Sequence, residues 1–264
     1  MFAPLNMDNT NILVILITIF ISLCLGSFVN VLILRSPHIF KIKKPFKPWS
    51  YILYPKSHCP ECLKQISPLF NIPILSFLLL KGKCFYCSKK ISIQYPLVEA
   101  VIGILFAFSL LKFGLRLEFF ISCLVCLILV WASLIDFKFF ILPNELTFSL
   151  IIIGLVVNFY DVFIIFNDSI MGAVAGYYSL WLIYKVHFLI KRRHGMGYGD
   201  FKLFSALGAL FGWQSLPIIG ILGSIGGFLL FAFCYFKDKK SLNNMIPFGP
   251  CLSLGGIVYL LLFY

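Results

Sequence analysis

Charged side chains are scarce in this chain. Of its 264 residues, 12% are Asp, Glu, Lys or Arg, about half the share of an ordinary globular domain. Acidic residues are rarest, 10 against 22 Lys and Arg. Hydrophobic residues reach 61% and the mean hydropathy is +0.98, where a globular domain is about 45–50% apolar. Too little polar residue is present to cover a water-facing surface, which excludes an ordinary soluble domain. Met1–Thr10 carries Asp8 and no Lys or Arg, so the basic region of a cleaved signal peptide is missing. There is no repeat at solenoid spacing, no Ser/Gly linker and no low-complexity tract. G-x-S-x-G, H-E-x-x-H and G-x-G-x-x-G are all absent, which removes the usual serine-nucleophile, zinc-peptidase and dinucleotide-binding signals.

Long apolar runs are what the chain does have: Ile12–Leu34, Leu97–Leu111, Phe119–Ile135, Leu146–Phe166, Ile170–Ile190, Phe201–Trp213, Leu216–Phe236 and Cys251–Tyr264. A helix crosses the hydrocarbon in about 20 residues, and isolated strands leave their backbone unsatisfied in lipid. The runs therefore predict an all-α polytopic membrane bundle of about eight transmembrane helices. The net charge of +12 invites a nucleic-acid partner, but its distribution argues otherwise. With Met1 outside and the runs alternating, the inner loops hold 20 of the 22 Lys and Arg, leaving Lys112 and Arg116 outside. This is the positive-inside pattern, so the basicity records orientation in lipid, and no nucleic acid is expected.

One polar insertion, Arg35–Pro96, interrupts the pattern. Within it Leu69–Leu80 is apolar but too short to span. Cys59-Pro-Glu-Cys62 and Cys84-Phe-Tyr-Cys87 form a C-x2-C…C-x2-C pattern in a loop placed in the reducing cytosol. Four thiolates suit a tetrahedral structural Zn2+ that staples the loop without catalysing; paired disulfides or unliganded thiols are the alternatives. Cys123 and Cys126, with Cys24, Cys234 and Cys251, lie in apolar runs and read as small hydrophobes in the core. The domain division expected is 1–34 for the tail and first helix, 35–96 for the tetra-cysteine domain, and 97–264 for the membrane domain with the chemistry.

Ionisable residues at the ends of membrane helices are expensive and point to function. Asp136 closes the third run, and Asp200 opens the sixth after Gly195, Gly197 and Gly199. The alternation puts both at the cytosolic ends of their helices. Asp200 alone reads as a helix cap, and Asp136 alone as a partner for Lys138 or Lys202. Together they suit an aspartic pair, in which one proton is shared, the ionised carboxylate activates water and the protonated one polarises a carbonyl. His187 and His194 read as interfacial residues.

These residues resemble one family, the type IV prepilin peptidases with leader peptidase and N-methyltransferase activities. The likeness is carried by Gly26-Ser-Phe-Val-Asn30-Val31 with Arg35 and Pro37, by His58-Cys-Pro-Glu-Cys62, by Asn71-Ile-Pro73-Ile-Leu-Ser76, and by Lys81-Gly-Lys-Cys84. Further along come Tyr95-Pro-Leu-Val-Glu99, Asp136 with Leu142-Pro143, Met196-Gly-Tyr-Gly-Asp200-Phe-Lys-Leu203 and Pro247-Phe-Gly-Pro250. Asn144 departs from the Asp common at that position. The resemblance implies Asp136 and Asp200 as the catalytic pair, supported by Gly197 and Gly199 of the G-x-G-D segment. It implies cleavage after Gly of prepilins and pseudopilins of pilus or secretion systems, on the cytosolic side of a bacterial inner membrane. It also implies methylation of the new N-terminus from S-adenosylmethionine, with Gly82 and Lys83 in the methyl-transfer region. Glu99 otherwise reads as an interface anchor. A peptidase without methylation, a transporter using the Asp pair as a proton relay, and a membrane-tethered zinc-ribbon adaptor are the rival readings.

Overall fold

The computed structural model describes residues 12–40, 49–52, 56–59, 61–192, 196–237 and 247–264. Met1–Thr10, Pro60, His194, Gly195 and the side chain of Cys234 lie outside the described residues. Every apolar run forms helix: α1 (Ile12–Ile39), α3 (Gln94–Phe113), α4 (Leu117–Phe139), α5 (Asn144–Phe159), α6 (Phe166–Lys191), α7 (Tyr198–Phe211), α8 (Leu216–Lys237) and α9 (Gly249–Val258). A short α2 (Leu75–Leu79) lies in the polar insertion. Among the described residues there are no strands, only two isolated bridges. The protein is an all-α membrane protein.

Eight crossings are not established, however. Four helices are long and apolar enough to span, α1, α3, α4 and α6, and a fifth span arises if α7 and the start of α8 count as one broken crossing. Those two helices meet at 119°, across Gly212 at φ +84°, a conformation glycine adopts without a side-chain clash. Asn144–Phe159 and Gly249–Phe263 are shorter apolar helices.

The backbone divides into two compact units, Ala3–Leu127 and Ile128–Tyr264. In the first, α1 packs along α3. Their approach is close because Gly26 has no side chain, and a Cβ there would lie 2.7 Å from Glu99 Cα. Asn30 crosses the same seam, its amide donating to Tyr95 O at 3.1 Å.

The second unit is built around α7, which packs on α5, α6 and α9 and buries every residue from Leu203 to Phe211. Lipid tails are as apolar as leucine, so helices in a membrane associate through close backbone approach and buried hydrogen bonds. Both devices are present here. Gly172 of α6 and Gly208 of α7 lie backbone to backbone. The buried Asn158 amide donates to Ala209 O (2.9 Å) and Leu210 O (3.1 Å), while its carbonyl accepts from the N–H groups of Phe163 and Ile164. Ser169 and Ser205 add side-chain bonds to Ala209 O and Ala173 O. The outer residues of α6, such as Leu182, Leu189 and Ile190, are exposed, as a lipid-facing surface requires.

Candidate active site

Asp136 lies in the last turn of α4 and Asp200 in the first turn of α7. Both are buried, at 6% and 8% exposure, which a carboxyl tolerates only with partners. Each has a backbone donor at a helix N-terminus, where free N–H groups and the helix dipole favour negative charge. For Asp136 the donor is Gly249 N, the first residue of α9, at 3.0 Å from Oδ2. For Asp200 it is Gly197 N, preceding α7, at 3.3 Å from Oδ2. Asp200 thus does cap its helix, through the carboxylate half of a capping box. Among the described residues neither Lys138 nor Lys202 forms an ion pair with Asp136; the Lys202 ammonium instead donates to Asn144 Oδ1 at 2.6 Å.

The charge of Asp136 is felt at Asp200, and the Cys251 thiol senses both carboxyls. One side chain links the elements that carry them. Phe140, at φ +55°, turns the chain out of α4 so that Leu142 reaches back between two glycines. A Cβ on Gly199 would lie 2.8 Å from Leu142 Cβ, and one on Gly249 would lie 3.1 Å from Leu142 Cδ1 and 2.6 Å from Asp136 Oδ2. Bare backbone at these two positions leaves room for the Leu142 side chain and the Asp136 carboxyl. The arrangement can share a proton and present one ionised and one protonated carboxyl.

Gly249, Leu142 and Cys251 were not picked out as site residues from the sequence. Cys251 is buried, as read, but it lies beside the carboxyls. Cys123 and Cys126 are buried core residues. Glu99 is buried, and its Oε2 accepts from Ile74 N at 2.7 Å.

The polar insertion folds as two knuckles of one design, set 25 residues apart. Cys59 N donates to Lys64 O and Leu63 N to Cys59 O; Cys84 N donates to Lys89 O and Ser88 N to Cys84 O. Ile66 N donates to Ser57 O, as Ile91 N does to Gly82 O. Leu63 and Ser88 take matching φ values of +57° and +58°. The Glu61–Lys89 ion pair, at 2.7 Å, joins the two. The sulfurs of Cys59, Cys62, Cys84 and Cys87 lie within 4.8 Å of one another, and Cys59 and Cys87 are 3.9 Å apart. A tetrahedral Zn–S4 site with bonds of about 2.3 Å has sulfurs about 3.8 Å apart, so the four thiols fit a metal ion. All four are free, and 3.9 Å is far beyond a disulfide bond. Backbone N–H groups of Cys87 and Tyr86 hold the Cys84 thiol down to about 7, towards the thiolate that ligates metal.

Gly82 is at φ +67°, and the Phe77 ring already fills the space where a Cβ would stand, 3.1 Å away. Gly82 therefore shapes the second knuckle and offers no cradle of its own. Lys83 is exposed and presents an ammonium beside it.

Residues 20–113 match the bacterial peptidase A24 N-terminal domain, and residues 123–232 match the type IV leader peptidase family. Proteins named prepilin leader peptidase/N-methyltransferase are similar along nearly their whole lengths. The Stutzerimonas stutzeri protein is 36% identical over 260 residues, covering 94% of this chain and 90% of its own. That of Legionella pneumophila is 34% identical over 253 residues (90% and 87%), and that of Aeromonas hydrophila 36% over 255 (91% and 88%). No solved structure matches. On both halves of its length, the chain belongs to the type IV leader peptidase family.

Proposed function

We propose that this chain is a prepilin leader peptidase and N-methyltransferase in which Asp136 and Asp200 are the catalytic pair. The observation that carries the assignment is a pair of buried carboxyls in electrostatic reach of one another, each held by one backbone N–H at a helix end. The carboxylate that is ionised takes a proton from water, whose oxygen attacks the carbonyl carbon of the leader's final Gly. The protonated carboxyl hydrogen-bonds the carbonyl oxygen as charge develops there. Collapse of the tetrahedral intermediate breaks the C–N bond, and the leaving amine takes its proton from the pair. Gly197 supports the geometry by donating to Asp200, and Gly199 by making room for Leu142. Water and two carboxyls suffice for the cut.

Methylation of the new N-terminus belongs, in this reading, to the first unit. S-adenosylmethionine supplies the methyl group when bound. Lys83 would hold a carboxylate of that donor or of the chain terminus, and Gly82 sets the turn that presents Lys83. The four cysteines hold Zn2+, which fills its coordination shell with sulfur and acts as a staple. In this reading the basic loops face the cytosol, and the carboxyl pair acts on the cytosolic side of a bacterial inner membrane, where prepilins and pseudopilins present their leaders.

Purified protein mixed with a prepilin bearing a leader that ends in Gly, plus S-adenosylmethionine, tests both activities. Mass spectrometry should find the cut after Gly and a gain of one methyl on the new N-terminus. The rate of cleavage should follow a bell-shaped pH curve whose two constants belong to the pair. A rate that rises steadily with pH would show that no protonated carboxyl is needed and would overturn the mechanism.

A further inference from the structure

We infer that Glu99 is a positioning residue for methyl transfer, acting by clamping a strained turn that carries the Gly82–Lys83 segment; this rests on the proposed methyltransferase reading of the first unit. The starting point is Ile74, whose backbone sits at φ +57°, ψ −50°. A β-branched residue at positive φ is a clear outlier. Leu75 N donates to Pro73 O at 2.5 Å across it, which makes a γ-turn of the rarer, strained hand. Such conformations cost about 1–3 kcal/mol and persist only where their surroundings over-determine them. What holds this one is the Glu99 carboxylate, which accepts the Ile74 N–H at 2.7 Å.

Glu99 is itself an anomaly, a carboxyl 5% exposed within a largely apolar helix. Among the described residues it is not paired with a cation. Its donors are the Ile74 N–H and the Ser27 hydroxyl, and Gly26 leaves the space for its backbone against α1. The consequence runs down the chain. The γ-turn starts α2; Phe77 of α2 accepts the Gly82 N–H at 2.8 Å and lays its ring against Gly82. Gly82 O then accepts from Ile91 N and closes the second knuckle. One hydrogen bond from a membrane helix thus sets where Gly82 and Lys83 stand.

The test compares Glu99→Leu, which removes the acceptor, with Glu99→Gln, which keeps a carbonyl oxygen for the Ile74 N–H. Full-length, zinc-loaded protein is scored for cleavage, for N-methylation and for hydrogen exchange across residues 71–80. Glu99→Leu should cut within about twofold of the parent but methylate about tenfold or more slowly, as leaving the Ile74 N–H without an acceptor predicts. Its exchange in 71–80 should accelerate. Glu99→Gln should stay near the parent in all three, a rescue that a requirement for charge would not allow. Ile74→Gly, which removes the strain, should partly restore methylation in the Glu99→Leu background. Unchanged exchange in Glu99→Leu overturns the clamp, and so does a Gln variant as impaired as the Leu variant. If Glu99→Leu loses its zinc, Glu99→Gln decides alone: methylation near the parent supports the clamp, and its collapse overturns it. A parent protein that cuts but never methylates would sink the methyltransferase reading, while the exchange data would still decide the clamp.

Discussion

At the level of single residues, the carboxyl pair depends on atoms that are missing. Asp136→Asn and Asp200→Asn should each lower cleavage by about three orders of magnitude or more, within the range assigned to acid–base groups together with oxyanion stabilisation. The double variant should be little worse than either, because the pair acts as a unit. Gly249→Ala is the subtler case. Its Cβ would fall 2.6 Å from Asp136 Oδ2, so the carboxyl must move. A shift of that kind in a reacting group costs about a hundredfold, and we expect the loss in kcat, with KM for prepilin and zinc content unchanged. An aspartate within or beside an apolar run stands out in a sequence because its burial is expensive, and so Asp136 and Asp200 were legible. Gly249 and Leu142 were not, because the sequence of an apolar chain does not distinguish a glycine that clears space from one that merely packs. Glu99 was visible as a polar residue but its partner was not, since that partner is a backbone N–H that no side-chain pattern announces.

Elements were more legible than their number of crossings. Each apolar run is helical because a membrane leaves the backbone few alternatives, but run length alone did not separate a full span from a helix of three or four turns such as α5. The 119° bend at Gly212 likewise looks in sequence like an ordinary break between two spans. The contact between α6 and α7 gives a test at this scale. Gly208→Leu would force a side chain into the backbone of Gly172, and overpacking of this kind typically costs about 1–3 kcal/mol. Thermal unfolding in detergent should drop by several degrees, and the cleavage rate should fall with it because Asp200 opens the same helix. The two knuckles give another. Purified protein should contain about one zinc per chain. Chelation or Cys59→Ser should remove it and speed proteolysis within the insertion, since binding of a structural metal is folding free energy. Because the ligands are thiolates, release should become easier as pH falls. The C-x2-C pairs announced the cluster; their matching hydrogen bonds were hidden, because Lys64/Lys89 and Ile66/Ile91 are too few identities to signal a duplicated fold.

For the whole molecule, the charges give an orientation that can be measured. Single cysteines placed at Lys56 and Arg116 should react with a membrane-impermeant thiol reagent from opposite sides, Lys56→Cys from the cytosol and Arg116→Cys from outside, each read as labelling above the parent chain. Labelling of both from one side would remove the topology. The bond between Gly249 and Asp136 joins residues 113 positions apart, and that separation is also an interval of time. At about 5–20 residues per second, Gly249 leaves the ribosome roughly 6–20 s after Asp136. Through that interval Asp136 waits in a nascent chain without its backbone donor, so a chain made past Asp200 but short of Gly249 holds both aspartates and an incomplete site. Proteolytic competence is thereby deferred until α9 is in place, and a chain stopped before Phe248 should insert α4 and α7 yet cut nothing.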